Sequence, residues 1–281
     1  MRVDAALAIA RACGVARLDA LLLLAHQLGR ERVWLHAHDD FELTPAVLAL
    51  YSSDLGRRAD NVPLAYLLGR REFHGLELIV SSDVLVPRPE TEGLVDWALQ
   101  LLDANQSEWP APRVVDLGTG SGAIALAVKH RCPRASVTAT DFSAAALVVA
   151  QRNAVLHDLT IHFTQGNWWQ ATGEQRFVMA LSNPPYVAGD DTHLAALRHE
   201  PRAALTPEGD GLSALHNIID GAPARLVPGA WLLLEHGHDQ ANAVCARLTQ
   251  QGFIDVSTRA DIAGLARCSG GRLPLQSAAR V

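Results

Sequence analysis

The residues with the most evident chemistry are Asn183-Pro184-Pro185-Tyr186, which follow the apolar run 177–182. The two prolines fix φ, remove two backbone donors and restrict the residue before each of them to extended conformations. The Asn183 side-chain oxygen and the carbonyls of Asn183 and Pro184 are therefore available to accept hydrogen bonds from outside the chain. Tyr186 can cover a flat group. This turn suits a planar –NH2 group, either an amide or the exocyclic amine of a base; the alternative is a plain rigid turn.

A second candidate site is the glycine-rich stretch 114–124, whose pattern predicts a strand, a turn and the start of a helix. The turn residues with candidate ligand contacts are Gly118, Thr119, Gly120, Ser121 and Gly122. Glycine lets a ligand approach the backbone, and a helix N-terminus offers free N–H groups. Asp141 ends the next strand about twenty residues further on, where an acid can hold both hydroxyls of a ribose. A tight turn without a ligand is the alternative.

The spacing of the glycines indicates which kind of nucleoside-containing cofactor the turn could bind. A dinucleotide-binding turn has the pattern G-x-G-x-x-G, which brings a helix N-terminus onto a pyrophosphate. Here Asp116 comes two residues before Gly118. An anion at that place repels a pyrophosphate, whereas it can face a sulfonium or an ammonium group. We therefore expect S-adenosyl-L-methionine as the cofactor, rather than NAD.

Further candidate contacts follow the next predicted strand. Asn167 can bond the edge of the adenine, and Trp168 can line its face, while Trp169 is expected to pack in the interior. Simple packing at the core or its rim is the alternative for either tryptophan. The scattered histidines lack a third ligand at metal-type spacing, so no metal site is expected.

The elements that position these residues fall into two parts. Residues 1–75 have helical spacing, with Thr44-Pro45 opening a helix, and predict a small helical bundle. Residues 76–88 alternate in strand fashion around Ser81–Asp83 and predict a β-hairpin linker. Arg88 and Glu90 follow as candidate structural ion-pair partners or as residues at the border of the pocket. Residues 89–281 are predicted to form the catalytic domain.

That domain is expected to be α/β, with a mostly parallel seven-stranded sheet and helices on both faces. The predicted strands are 113–117, 136–140, 161–165, 177–182 and 230–235, with an antiparallel edge pair at 252–258 and 266–268. The predicted helices of the domain are about 90–102, 123–131, 143–156 and 214–224.

Composition limits the classes of function. The chain has 281 residues, a net charge of −6 and 49% hydrophobic residues, as is ordinary for a soluble enzyme. An acidic balance argues against nucleic acid as the main partner. No apolar run approaches a membrane span, and the N-terminus lacks a signal-peptide pattern. The four scattered cysteines are typical of reduced thiols, which predicts a cytoplasmic protein.

With 116–122, Asp141 and 183–186 in this order, the chain resembles S-adenosylmethionine-dependent methyltransferases that modify planar amino nitrogens. It is similar to the HemK/PrmC-type family, protein-(glutamine-N5) methyltransferases of bacterial peptide chain release factors. The narrower match is carried by Pro63–Leu76, Val84–Glu92 and Leu232–Gly237. The resemblance spans nearly the whole chain, and the combination of these motifs is far more specific than the glycine turn alone.

The resemblance implies a Rossmann-like methyltransferase domain behind a helical domain that helps hold a class I release factor. It implies methylation of the glutamine of a Gly-Gly-Gln motif, with Asn183, Pro184 and Tyr186 as catalytic residues and Pro185 beside them in the substrate site. We expect a monomer with no direct contact to nucleic acid or membrane. Asn167 stands where the family commonly has an acid, which predicts weaker cofactor binding.

Other functions share parts of this pattern. A DNA adenine-N6 or cytosine-N4 methyltransferase uses the same catalytic turn, but it must also grip phosphates and flip a base. A glutamine methyltransferase of a ribosomal protein shares the turn as well. An NAD-dependent oxidoreductase conflicts with the glycine spacing. A protein that only docks to a translation factor would not require an intact catalytic turn.

Overall fold

The computed structural model describes residues 1–275, which separate into two units, Met1–Arg70 and Arg71 onward. Residues 1–70 form a helical unit with its own apolar core. Its helices are α1 (Val3–Ala12), α2 (Arg17–Leu28), α3 (Arg32–Ala37), α4 (Pro45–Ala59) and α5 (Leu64–Leu68). The start of α4 is fixed as its sequence predicts, because the Thr44 hydroxyl accepts from Val47 N at 3.3 Å and Pro45 occupies the first helical position.

The second unit opens with a β-hairpin whose position differs from the prediction. Strands β1 (Arg70–Phe73) and β2 (Leu76–Ile79) are joined by His74 and Gly75, both of which have positive φ, as a two-residue hairpin turn requires. The predicted hairpin at 76–88, with its turn at 81–83, is therefore wrong, and residues 80–88 form a loop. Charged side chains in 70–72 conceal the first strand from a hydrophobic pattern.

The hairpin belongs to the second unit rather than linking two domains. The side chain of Asn153 donates to Ile79 O at 2.9 Å and accepts from Ile79 N at 2.6 Å. Phe73 and Leu78 are buried in the same apolar cluster as the helices that follow. The structure therefore divides after Arg70, whereas the sequence placed the change after residue 75.

In the remainder of the unit, helices and strands mostly alternate along the chain. They are α6 (Glu92–Ala104), β3 (Arg113–Leu117), α7 (Ala123–Arg131), β4 (Ser136–Asp141), α8 (Ala144–Leu156), β5 (His162–Gln165), β6 (Phe177–Ser182), α9 (Arg202–Leu205), α10 (Ser213–Arg225), β7 (Leu226–Glu235), α11 (Ala241–Gln250), β8 (Ile254–Ala260) and β9 (Ala266–Arg272). Short 3-10 turns lie at Pro89–Thr91, Trp168–Thr172 and Thr192–Ala195.

Within residues 71–275, seven strands form one sheet in the order β5-β4-β3-β6-β7-β9-β8. The pairs from β5 to β7 are parallel, and the pairs made by β9 are antiparallel. The predicted seven-stranded, mostly parallel sheet with an antiparallel edge pair is thus confirmed. Strand order reverses between β3 and β6, and in such sheets ligands bind beyond the carboxyl ends of the strands at this reversal.

Both faces of the sheet are covered, because successive strand residues point to opposite sides. Val114 belongs to one buried cluster with α6 and α7, while Val115 belongs to another with α10 and α11. Central strands that are buried on both faces have nearly continuous apolar sequences, which is why residues 177–181 are all apolar. In the described part of the chain, no helix is both long and apolar enough to cross a membrane.

Candidate active site

A cavity of about 430 Å³ lies at the carboxyl ends of β3, β4 and β6, where the strand order reverses. Its volume falls in the range of small-molecule sites. Nine of the residues predicted from sequence line it: Gly118, Thr119, Gly120, Ser121, Asp141, Asn167, Trp168, Asn183 and Pro185. The structure therefore brings the glycine turn, the acid of β4 and the start of the proline turn to one place.

The glycine turn is shaped by backbone conformations that favour glycine. Gly118 and Gly120 have φ of 76° and 55°, and the N–H groups of Gly118 and Thr119 both donate to Thr140 O at 2.9 Å. A Cβ on Gly118 would lie 3.0 Å from the Trp168 ring. The backbone of the turn and the tryptophan thus meet closely along one wall of the cavity.

Gly122, predicted as a contact to the cofactor, instead lies where α7 packs against α8. It also has positive φ, but a Cβ there would lie 3.0 Å from Leu126 Cδ1 and 3.2 Å from Ala150 Cβ. Gly122 is not among the residues that line the cavity. Its small size permits the close packing of α7 against α8, so its placement as a cofactor contact is not supported.

Asp116 is buried beneath the turn and does not line the cavity, so the expectation that it faces a cationic ligand is wrong. Its Oδ2 accepts from Thr119 Oγ1 at 2.6 Å and from Ala125 N at 3.2 Å. Burial raises the pKa of Asp116 to about 7, although these two hydrogen bonds oppose the rise. The acid ties the glycine turn to the start of α7.

Asp141 ends β4 and faces the cavity. Its Oδ2 accepts from Gly120 N at 2.8 Å and its Oδ1 from Ser143 N at 2.9 Å. Burial raises the pKa of this carboxyl, and the backbone hydrogen bonds, first that of Gly120, counter the rise. The two anchored oxygens hold the carboxylate against the glycine turn, where hydroxyl donors of a ligand can reach it.

Apolar rings complete this part of the wall. Trp168 lines the cavity, while Trp169 is buried and donates from Nε1 to Ile218 O at 2.8 Å, which agrees with the expected division of the pair. Phe142, which sequence reasoning missed, also lines the cavity although its side chain is 74% exposed. An apolar ring directly after the acid of β4 was the available signal.

The proline turn is divided between the cavity and the interior. Asn183 and Pro185 line the cavity, whereas Pro184 and Tyr186 are not among the lining residues that the structure describes. The Tyr186 hydroxyl instead donates to Glu235 Oε1 at 3.2 Å, and burial, followed by the charge of Glu235, raises the pKa of Tyr186. The expectation that Tyr186 covers a flat group of the substrate is not supported by this placement.

Asn183 has a polar partner that sequence reasoning missed. Its Nδ2 donates to Thr91 Oγ1 at 3.1 Å, 92 residues earlier in the chain. Thr91 is buried and lines the cavity as well. No sequence spacing predicts this pair, because it depends on where the turn before α6 meets the end of β6.

Arg88 lines the cavity, but its ionic partner is Glu200 rather than Glu90. Arg88 Nη2 lies 2.6 Å from Glu200 Oε1, and Glu200 Oε2 accepts from Val86 N at 3.1 Å. Glu200 is almost fully buried. This ion pair joins the loop before α6 to the segment before α9, which contributes Pro201 to the same wall.

Comparison with known proteins identifies the family. A PrmC N-terminal domain model matches residues 3–69, and a Methyltransferase small domain model matches residues 91–212. A release factor glutamine methyltransferase of Bordetella pertussis is 51% identical over 263 residues, which cover 92% of this chain and 96% of that protein. The chain belongs to the release factor glutamine methyltransferase family. Relatives with that name from Xylella fastidiosa and Burkholderia pseudomallei are 48% and 49% identical and cover 92% and 94% of the chain.

Membership of this family makes the chain an S-adenosylmethionine-dependent methyltransferase. Solved structures agree in fold at low identity. A methyltransferase from Pyrococcus furiosus gives a TM-score of 0.54 at 18% identity, covering 80% of this chain and all of the other. The hMettl16 catalytic domain gives 0.56 at 18% identity, covering 77% and 81%. The cavity suits this cofactor, because Asp141 offers a carboxylate beside an open glycine turn and two apolar rings.

Proposed function

We propose that this methyltransferase transfers the methyl group to the N5 side-chain amide nitrogen of glutamine in the Gly-Gly-Gln motif of bacterial class I release factors. The single observation that carries the proposal is that Asn183 opens into the same cavity as the glycine turn and Asp141. The names of the relatives supply the class of substrate. A hydrogen-bond acceptor beside a methyl-donor site is what an amide substrate requires.

Residues of the chain hold the methyl donor in this proposal. Asp141 would accept from the ribose hydroxyls, Asn167 would bond the edge of the adenine, and Trp168 and Phe142 would cover its faces. The turn from Gly118 to Ser121 would face the remainder of the cofactor. When bound, S-adenosyl-L-methionine supplies a methyl group on a positively charged sulfur, which is open to attack by a nucleophile.

The chain must then activate a poor nucleophile, because the lone pair of an amide nitrogen is delocalised into its carbonyl. Asn183 Oδ1 and the Pro184 carbonyl accept hydrogen bonds from the two N–H groups of the glutamine amide, which orients the nitrogen and stabilises the positive charge that develops there. Holding the reacting atoms in line lowers the barrier by several kcal/mol. The N–C bond forms as the C–S bond breaks with its electron pair passing to sulfur, and the excess proton leaves to water.

The parts of the chain take separate tasks in this proposal. The helical unit Met1–Arg70 holds the release factor, and the unit from Arg71 carries out methyl transfer. We further propose that the enzyme acts as a cytoplasmic monomer and contacts no nucleic acid itself. Gel filtration with light scattering tests whether the enzyme is a monomer. Retention on heparin at low salt tests whether it binds nucleic acid.

The experiment that tests the reaction uses labelled S-adenosylmethionine and a purified release factor, beside a release factor whose motif glutamine is replaced. We expect label on the first protein and none on the second. Asn183→Ala should abolish transfer, with cofactor affinity largely unchanged in calorimetry. Label on both release factors, or on neither, would contradict the proposed substrate.

A further inference from the structure

Glu235 is a buried acid beside the catalytic turn. It ends β7, which runs parallel to β6 with Leu234 opposite Ser182, so Glu235 and Asn183 leave neighbouring strands at the same edge. Its side chain is buried, with 1% of the residue exposed. Burying a carboxylate is costly unless hydrogen bonds satisfy it. Its partners therefore indicate why it is placed here.

Those partners are the side chains that surround the turn. Tyr186 donates to Glu235 Oε1 at 3.2 Å. Glu235 Oε2 is buried and has no hydrogen-bond partner among residues 1–275, and the Thr91 hydroxyl lies near enough to the carboxylate to lower its pKa. Thr91 in turn accepts from Asn183 Nδ2 at 3.1 Å. The carboxylate is thus bonded to Tyr186, and Thr91, which is bonded to Asn183, lies close to the same carboxylate.

The hydroxyl of Thr91 is free for this connection because it does not cap its own helix. Thr91 occupies the N-cap position of α6, where a threonine oxygen commonly accepts from a backbone N–H of the first turn. Here no such side-chain bond is formed. The hydroxyl instead accepts from Asn183 Nδ2 at 3.1 Å.

The direction of the hydrogen bonds follows from the number of protons. An ionised carboxylate only accepts, and a hydroxyl has a single proton to give. If Thr91 gives its proton to Glu235, its oxygen can only accept, and Asn183 must turn its –NH2 group toward Thr91. Asn183 Oδ1 is then left as an acceptor for a ligand. The reversed amide would present a donor to the –NH2 group of the substrate.

We propose that the Thr91 hydroxyl donates to Glu235, and that both are positioning residues that hold the Asn183 amide with Oδ1 as the acceptor for the substrate nitrogen. This inference rests on the proposed function, since it assigns the acceptor of that reaction. Neither residue needs to touch the substrate amide. Their effect passes through the orientation of Asn183, and through Tyr186 for the backbone of the turn.

The ionisation of Glu235 controls this chain of hydrogen bonds. Burial raises the pKa of Glu235, the hydroxyls of Thr91 and Tyr186 and the charge of Arg267 lower it, and the charge of Glu90 raises it. Arg267 is shared with Asp261, at 3.2 Å, and Cys268 of β9 also faces the carboxylate. Protonated Glu235 becomes a donor, and Thr91 no longer has to give its proton there. Turnover should therefore fall as the pH falls through the pKa of Glu235.

The test compares three variants of the full-length enzyme in methyl transfer to a release factor. Thr91→Val keeps the shape and removes the hydroxyl, Thr91→Ser restores it, and Thr138→Val makes the same change at a buried threonine of β4 outside the cavity. We expect Thr91→Val to lower kcat by about 10- to 100-fold, by analogy with the loss seen when a residue that orients a metal ligand is replaced. Thr91→Ser should recover kcat to within about 3-fold, and Thr138→Val should leave it unchanged.

Two further readouts separate positioning from a structural role. The Kd for S-adenosylmethionine, measured by calorimetry, and the thermal unfolding midpoint should stay close to the wild-type values in Thr91→Val. In that variant, kcat should depend less on pH in the acidic range, because the orientation of Asn183 no longer depends on the ionisation of Glu235. An unchanged kcat in Thr91→Val, or a Thr91→Ser variant as slow as Thr91→Val, would overturn the inference. A lower kcat in Thr91→Val that is accompanied by weaker binding of S-adenosylmethionine, or by a lower unfolding midpoint, would also overturn it.

Failure of this inference is distinguishable from failure of the proposed reaction. If wild-type enzyme labels the release factor and Asn183→Ala does not, the proposed reaction stands whatever Thr91→Val does. If wild-type enzyme leaves the release factor unlabelled, the proposed function fails, and the inference that depends on it fails too.

Discussion

At the scale of single residues, the two acids beside the glycine turn have different roles. Asp141 faces the cavity with both oxygens anchored by backbone N–H groups. Asp116 supports the glycine turn from below. The sequence predicts both acids as part of the site, because both flank strand ends. It cannot tell which acid faces a ligand, since that depends on which way each strand residue points once the turn has folded.

The buried state of Asp116 predicts a dependence of stability on pH. Its folded-state pKa, about 7, lies above its ordinary value of 3.8, so the folded protein holds a proton that the unfolded chain releases. This contribution is fully present below pH 3.8 and is lost as the pH rises toward 7. Asp116→Asn cannot ionise and should remove it.

Denaturant unfolding of wild type and Asp116→Asn at several pH values measures the effect. The free energy of unfolding of the wild type relative to Asp116→Asn should fall by up to about 4 kcal/mol as the pH rises from acidic to neutral, because each unit of pKa shift corresponds to about 1.4 kcal/mol. A difference that stays constant across that range would contradict the raised pKa. Asp158→Asn, an exposed change outside the cavity, serves as the control.

At the scale of elements, the site is built where parallel strands end together. The alternation of strands and helices predicts this sheet, and the bounds of β3, β6 and α7 agree residue for residue with those predicted. The hairpin at β1 and β2 was placed wrongly because its first strand is charged. Helix α11 was missed because only Val244 and Leu248 of its residues are buried, too few for a clear periodicity.

The contact of α7 with α8 at Gly122 yields a test of packing. Gly122→Ala places a Cβ 3.0 Å from Leu126 Cδ1 at a φ of 86°, so both strain and crowding oppose it. Gly264→Ala is the matched change, because Gly264 has a φ of 80° and nothing within 4 Å of its Cβ.

We expect Gly122→Ala to lower the free energy of unfolding by about 2–4 kcal/mol and Gly264→Ala by about 1 kcal/mol. Chemical denaturation measures both. Equal losses would show that crowding at Gly122 has no cost, and that the glycine is required only for its φ.

At the scale of the whole molecule, the residues of the cavity all come from the second unit. The sequence predicted the two parts from a change of periodicity, and the family comparison matches a separate domain to each. The pairs Asn183–Thr91 and Arg88–Glu200 could not be predicted, because contacts across 92 and 112 residues depend on the assembled sheet.

This division predicts separable functions. A chain of residues 69–281 keeps β1 and every residue of the cavity, so it should bind S-adenosylmethionine with a Kd close to that of the full chain. It lacks the helical unit and should methylate a release factor at least about 10-fold less efficiently, in kcat/KM, if that unit contributes roughly 1.4 kcal/mol to holding the substrate. Equal kcat/KM for the two chains would contradict the proposed role of Met1–Arg70.

The central claim is methyl transfer to one amide nitrogen at the turn of Asn183. Mass spectrometry of peptides from a release factor incubated with enzyme and S-adenosylmethionine tests it most directly. The account predicts one added methyl group, located by fragmentation on the side chain of the Gly-Gly-Gln glutamine, present with wild-type enzyme and absent with Asn183→Ala. A methyl group on any other residue, or an equal yield from Asn183→Ala, would contradict it.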